Sequence, residues 1–182
     1  MVLKPDPRLA EAVRCAHNDG KGPVFFCATE DKGNAGDEVY PAYLPQTIAI
    51  AACDRGGKEF TTTDPNAQYY FQGHQIQTDC LSYGACKTAE PTGSSIATAI
   101  AAGVASLILS CRFLADLEGH SHKTKLDTIK AVFKDMIDDT SSNKYVSPGR
   151  FFKERRVDDV PWTTEDWKRW IHSTFEPERR YA

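Results

Sequence analysis

Gly93-Ser94-Ser95-Ile96-Ala97-Thr98-Ala99-Ile100-Ala101-Ala102-Gly103-Val104-Ala105 is the stretch that decides how this chain is read. It opens on a glycine and two serines, then continues in small and apolar residues with no charge before Arg112. The pattern predicts a long helix from about Thr92 to about Leu117. A helix apolar on nearly every side belongs inside a core. A serine in its first turn has two uses in nucleophilic chemistry. Its backbone N–H is one of the helix's unpaired donors and can stabilise an oxyanion. Its hydroxyl is held by a rigid, buried support. The same residues also fit a plainer role, because serine is a favoured N-cap. The Gly-x-Ser-x-Gly elbow does not fit, since Ala97 stands where its second glycine would be.

Upstream of this stretch, Pro7 to His17 has helical spacing, with Leu9, Ala12, Val13 and Ala16 on one face, and Asn18-Asp19-Gly20 ends it. Val24 to Ala28 and Thr47 to Ala52 are short apolar runs that read as buried strands, separated by a polar, glycine-containing loop. Helix, strand, loop and strand in this order predict an α/β layer with a parallel sheet. Glu59 to Thr62 and Tyr69 to Phe71 are further candidate strands. Downstream, Leu126 to Ile137 is amphipathic. A last helix is expected after Pro161-Trp162, where Thr163 and Asp166 have capping-box-like spacing.

Composition narrows the function. The chain has 182 residues, 41% hydrophobic and 26% charged, with a net charge of -3. One globular domain is affordable, and nucleic acid is disfavoured as a partner. The longest apolar run, Ile96 to Cys111, is shorter than a typical membrane span and rich in Ala, Gly and Ser. It reads as a buried helix, with no membrane partner. The N-terminus lacks a basic flank followed by an apolar stretch, so a cytoplasmic location is expected. None of the six cysteines forms a Cys-x-x-Cys pair, so a zinc site is not expected. Cys27, Cys53 and Cys111 sit in apolar runs, while Cys80 and Cys86 are in a loop-like context where they could pair.

The segment Gly93 to Val104 resembles the nucleophile motif of the subtilases, Gly-Thr-Ser-Met-Ala-x-Pro-x-Val-Ala-Gly. Gly93, Ser95, Ala97, Ala102 and Gly103 match it residue for residue. Ser94 stands for its threonine, Ile96 for its methionine and Ala99 for its proline. The Gly-Ser-Ser and Ala-Ile-Ala-Ala-Gly forms are similar to those of fungal subtilases. By this match Ser95 takes the nucleophile position. A second match follows the strand Val24 to Ala28, where Gly33-Asn34 resembles the family's Gly-Asn and puts Asn34 in the oxyanion hole. Tyr40-Pro41-Ala42 and the strand Thr47 to Ala52 resemble the segments that come next. As a plain reading, Gly33-Asn34-Ala35-Gly36 is also a turn signal.

The resemblance covers about Leu9 to Phe133. It implies a partial subtilisin-like α/β fold: a mostly parallel sheet with a buried central helix that carries the nucleophile. Residues 1–140 would be the C-terminal half of the peptidase domain. Residues 141–182 would be an extension with an amphipathic helix. Two departures stand out. Glu30-Asp31-Lys32 precedes Gly33-Asn34 where the family has small residues. The family's aspartate segment and His-Gly-Thr segment are both absent; His17, His74, His120, His122 and His172 lack that context and read as surface or loop histidines. A serine without a base is a poor nucleophile. The resemblance therefore implies a serine endopeptidase by family that is inactive as this chain alone. Its partners would be a peptide or protein substrate and the missing N-terminal half of the domain. It implies no cofactor, and no calcium ligand set is visible. The alternative is a non-catalytic subtilase remnant that binds peptides or proteins.

Overall fold

A computed structural model describes residues 5–29, 31, 39–58, 67–76, 90–115, 124–137, 144–149 and 163–175. The first helix, α1, spans Pro7–His17 and starts where the sequence signals it should. Asp6 caps it by accepting the Arg8 N–H at 2.9 Å, Pro7 lies in the first turn, and Asn18 closes it in the left-handed region. A 3-10 turn at Asn18–Gly20 leads to the sheet.

Strands β1 (Phe25–Ala28), β2 (Thr47–Cys53) and β3 (Tyr69–Gln72) form a sheet in the order β1-β2-β3. Both pairings are parallel. Phe25 lies opposite Thr47, and Ile50 opposite Tyr69. All seven residues of β2 are buried, as expected of a parallel strand covered on both faces. Its alternation divides the core in two. Ile48, Ile50 and Ala52 face the larger cluster, while Ala51 and Cys53 join Ala67 and Tyr70 on the other side. Buried Thr47 anchors the preceding turn, its hydroxyl lying 2.8 Å from the Leu44 carbonyl. On the outer side of β3, Tyr70 donates its N–H to Lys144 and accepts the N–H of Val146, both at 2.9 Å. The outer side of β1 carries no strand among the described residues, and all four β1 residues are only half-buried.

Helix α2 spans Ser94–Leu114 and packs on β1, β2 and β3. Its buried stripe is Ala97, Ala101, Ala105, Ile108 and Arg112, spaced by three and four residues, and the first four join the core cluster with the sheet. Alanine at the first three positions lets the helix approach the sheet closely. The helix is not buried all round, however. Ser95, Ala99, Gly103, Ser106, Leu107 and Ser110 are exposed. By length and composition α2 is long and apolar enough to cross a membrane, but its alanine stripe lies in the core of this fold.

Helix α3 (Lys125–Asp135) starts at Thr124, whose hydroxyl accepts the Asp127 N–H at 3.1 Å. It brings Phe133 onto the sheet. The Phe133 ring meets Phe71 at 5.1 Å, Tyr69 at 5.4 Å and Phe26 at 6.3 Å between centroids, so one side chain joins β1 and β3 across the face of β2. Helix α4 (Thr164–Phe175) begins at the expected capping pair. Thr163 donates its N–H to Asp166 at 3.0 Å, and the Asp166 N–H returns to the Thr163 hydroxyl at 3.2 Å. Ile171 and Trp170 fix α4 to the core. The candidate strand Glu59 to Thr62 and the pair Cys80 and Cys86 lie outside the described residues.

Candidate functional site

The site is the N-terminus of α2, and three chain segments meet there. Gly93 is the capping residue, with φ of 148°, a region that side-chain-bearing residues rarely adopt. Its N–H donates to Gly73 just after β3, at 2.8 Å. Its carbonyl accepts the N–H groups of Ile96 and Ala97 at 3.1 and 3.2 Å. Glycine is favoured at both contacting positions, by backbone conformation at Gly93 and by lack of space at Gly73. A Cβ on Gly73 would lie 2.8 Å from the Gly93 carbonyl oxygen and 2.8 Å from the Ala52 Cβ. The end of β3 thus sits directly on the start of the helix.

The two serines have opposite environments. Ser94 is buried, and its hydroxyl donates to the Thr29 carbonyl at 2.6 Å. Thr29 in turn donates its N–H to Ile50 at 2.9 Å, so the end of β1 is tied to both β2 and α2. Neither serine side chain caps a helix amide. That task falls to Asp31, whose two carboxylate oxygens accept the Ser94 N–H at 2.8 and 3.0 Å. The serine N-cap considered for Gly93-Ser94-Ser95 is therefore replaced by a cap from 63 residues earlier in the chain. The carboxylate supplies the hydrogen bond that a serine cap would make and adds a negative charge at the positive end of the helix.

Ser95 is exposed, and its hydroxyl has no hydrogen-bond partner among the described residues. Its backbone N–H completes the picture. With the Ser94 N–H held by Asp31, and those of Ile96 and Ala97 by Gly93, the Ser95 N–H is the first-turn amide left without an acceptor among the described residues. A hydroxyl and a free amide on one residue, at the positive pole of a 21-residue helix, can present a nucleophile and hold a developing negative charge. A Cβ on Gly93 would be 3.0 Å from an Asp31 carboxylate oxygen and 3.7 Å from the Ser95 hydroxyl.

Asn34, assigned to the oxyanion hole, lies outside the described residues, so its convergence with Ser95 is not described. His120 and His122 lie outside them as well. His17 ends α1 and His172 is in α4. His74 lies in the loop after β3, half-buried, between Gly73, which accepts from Gly93, and Gln75, which donates its N–H to Thr92 at 3.0 Å. Asp31 is the residue that sequence reasoning did not assign. Its signal was an acidic residue within three positions of a strand end that faces a helix start.

No group of three or more His, Cys, Asp or Glu side chains among the described residues is placed to hold a metal ion. Burial pushes the Cys27 and Cys111 thiols up from their ordinary values, and neither is activated as a nucleophile.

No family model matches the chain, and no curated protein matches it. Solved structures do match. A serine-to-alanine variant of the protease domain of PatA superposes with a TM-score of 0.62 at 18% identity, covering 84% of this chain and 54% of that one. The patellamide maturation protease PatA gives 0.60 at 17%, covering 93% and 58%. The prenylagaramide maturation protease PagA gives 0.60 at 21%, covering 79% and 54%. These are subtilisin-like protease domains, and the chain has part of their fold. It spans little more than half of their length.

Proposed function

We propose that this chain is the nucleophile-bearing part of a subtilisin-like serine endopeptidase, with Ser95 as the nucleophile. The observation that carries the reading is the asymmetry of Gly93-Ser94-Ser95: Ser94 is consumed by structure, and Ser95 is exposed beside a free amide. In this reading the Ser95 hydroxyl attacks the scissile carbonyl of a peptide or protein substrate. The Ser95 N–H and the Asn34 side chain hold the oxyanion. The general base and the carboxylate that orients it come from polypeptide beyond these 182 residues. Alone, the chain turns over no peptide, since serine needs a base. The Gly-Ser-Ser and Ala-Ile-Ala-Ala-Gly segments favour a fungal type of this family.

The test is to supply a half-domain carrying the aspartate and His-Gly-Thr segments and to measure peptide hydrolysis and fluorophosphonate labelling. Both are expected to switch on, and Ser95→Ala to abolish them. Asn34→Ala should lower turnover by about a hundred- to a thousand-fold, the range found for the equivalent donor in subtilisin. A completed domain that folds and still fails to label Ser95 moves the assignment to the second reading. That reading is a non-catalytic module that binds peptides or proteins. Asp31 favours it, because a carboxylate at the pole of α2 opposes a second negative charge there.

A further inference from the structure

The carboxylate that caps α2 sits where the proposed reaction would create a second negative charge. Asp31 turns both of its oxygens on one donor, the Ser94 N–H, at 2.8 and 3.0 Å. From the Ser94 nitrogen the backbone reaches the Ser95 nitrogen in three bonds. Bond lengths alone therefore keep the carboxylate within about 7 Å of the Ser95 amide. That is inside the roughly 8 Å over which physiological salt screens a charge. Gly93 leaves room for the approach, since a Cβ there would lie 3.0 Å from an Asp31 oxygen.

Two features make the charge, rather than the cap, the variable. First, one N–H needs one acceptor. A neutral carboxyl keeps its carbonyl oxygen for Ser94 and loses only the charge. Second, the elements that meet here bring no other full charge. β1, β2 and β3 contain no Asp, Glu, Lys, Arg or His, and α2 has none before Arg112. The titratable side chains of the strands, Cys27, Cys53, Tyr69 and Tyr70, are uncharged at neutral pH and below. His74 follows Gly73 in the loop after β3, Glu90 comes three residues before Gly93, and Glu30 and Lys32 flank Asp31 in the sequence. Asp31 itself is exposed, so solvent protons reach it.

We propose that Asp31 is a charge gate on Ser95. Ionised, it opposes the oxyanion that forms when the Ser95 hydroxyl attacks. Neutral, it keeps the cap and lifts the opposition. The site is held back at neutral pH and released as acid titrates this carboxylate. In this scheme Asp31 touches neither substrate nor nucleophile; it sets the field in which the oxyanion forms. The gate presupposes Ser95 as the nucleophile and adds what regulates it.

Two measurements test the gate. In the full chain, the Ser94 and Ser95 amide resonances are followed by NMR from neutral pH down through the carboxylate range. Both should titrate in the parent and lose that titration in Asp31→Asn. In the domain completed with the aspartate and His-Gly-Thr segments, fluorophosphonate labelling of Ser95 is compared in the two proteins. Asp31→Asn should label about tenfold faster at neutral pH, the scale of a unit charge at this distance between bulk water and protein surface. The ratio should fall to about one as the parent's carboxylate is protonated, and should shrink when salt is raised. A merely structural role for Asp31 would leave the ratio independent of pH. Asp31→Ser, which also keeps a neutral acceptor, replaces Asp31→Asn if that variant fails to fold. Amides that titrate equally in both proteins, a ratio fixed across pH, or a ratio that rises on mild acidification would each overturn the gate, the last by moving the effect onto the base. Absence of labelling from both proteins, with the amide titration intact, would instead remove Ser95 as nucleophile and with it the reaction that the gate controls.

Discussion

Asp31 and Ser94 are joined by a carboxylate that accepts one backbone N–H with both of its oxygens, at 2.8 and 3.0 Å. The contact closes the positive end of α2 with a side chain from the end of β1, next to the residue proposed to react. Removing it as Asp31→Ala should cost about 0.5–2 kcal/mol, the range for loss of a helix cap. Asp31→Asn keeps an acceptor and should cost less. Denaturant melts of the two variants give the ordering. In a completed domain, Asp31→Asn should label Ser95 at least as fast as the parent, since it removes a negative charge from the oxyanion pole. Slower labelling would assign Asp31 a supporting role in the chemistry.

Ser94 and Ser95 should separate structure from reaction. Ser94→Ala removes the donor to the buried Thr29 carbonyl and should destabilise by about 1–3 kcal/mol, the cost of an orphaned buried acceptor. Ser95→Ala changes an exposed side chain without partners and should stay within about 0.5 kcal/mol. Thermal melts of both, beside labelling of the completed domain, check the assignment. A Ser95→Ala variant as unstable as Ser94→Ala would place Ser95 in the structural role.

Two glycines are expected to respond in opposite directions. Gly73→Ala puts a Cβ against the Gly93 carbonyl and the Ala52 and Ala97 Cβ atoms, all within 3.0 Å, and none of them is a flexible chain end. The loss should be about 1–3 kcal/mol, as for overpacking. Gly103→Ala meets open space in the middle of a helix and should stabilise the chain by about 1 kcal/mol. Equal responses would mean that the start of α2 is not seated on the end of β3 as described.

Asp166 supplies a pH dependence. The Thr163 hydroxyl and N–H hold its carboxyl below the usual aspartate value. A group lowered on folding contributes stability that is present above its unfolded pKa and is lost as pH falls through the folded value. The start of α4 should therefore hold at neutral pH and loosen on acidification below the ordinary aspartate range. Carboxyl NMR titration reads this directly. Thr163→Ala should return Asp166 toward its ordinary pKa, and an unchanged titration would exclude the capping pair.

Elements whose causes are local could be read along the chain. The start of α1 follows from Asp6 and Pro7, and the capping pair of α4 from Thr163 and Asp166, because each depends on groups within a few residues. The all-apolar run of β2 announced a strand covered on both faces. The parallel sheet followed from the order of these segments, and the position of Ser95 at the first turn of a small-residue helix was visible in Gly93 to Ala105. Which of two adjacent serines is buried was not visible. That depends on where the Thr29 carbonyl ends up, 65 residues away in sequence. Nor did periodicity show that α2 buries only one face. An uncharged helix reads as surrounded, and only packing shows which neighbours are present among these residues. The cap on α2 was equally hidden, since Asp31 reaches it only after β1 and α2 have packed against the same sheet. Sequence alone settled the local starts, the strand character of β2 and the kind of helix that carries Ser95. Tertiary structure decided the rest, because hydrogen bonds between distant segments exist only once the chain has brought both partners to one place.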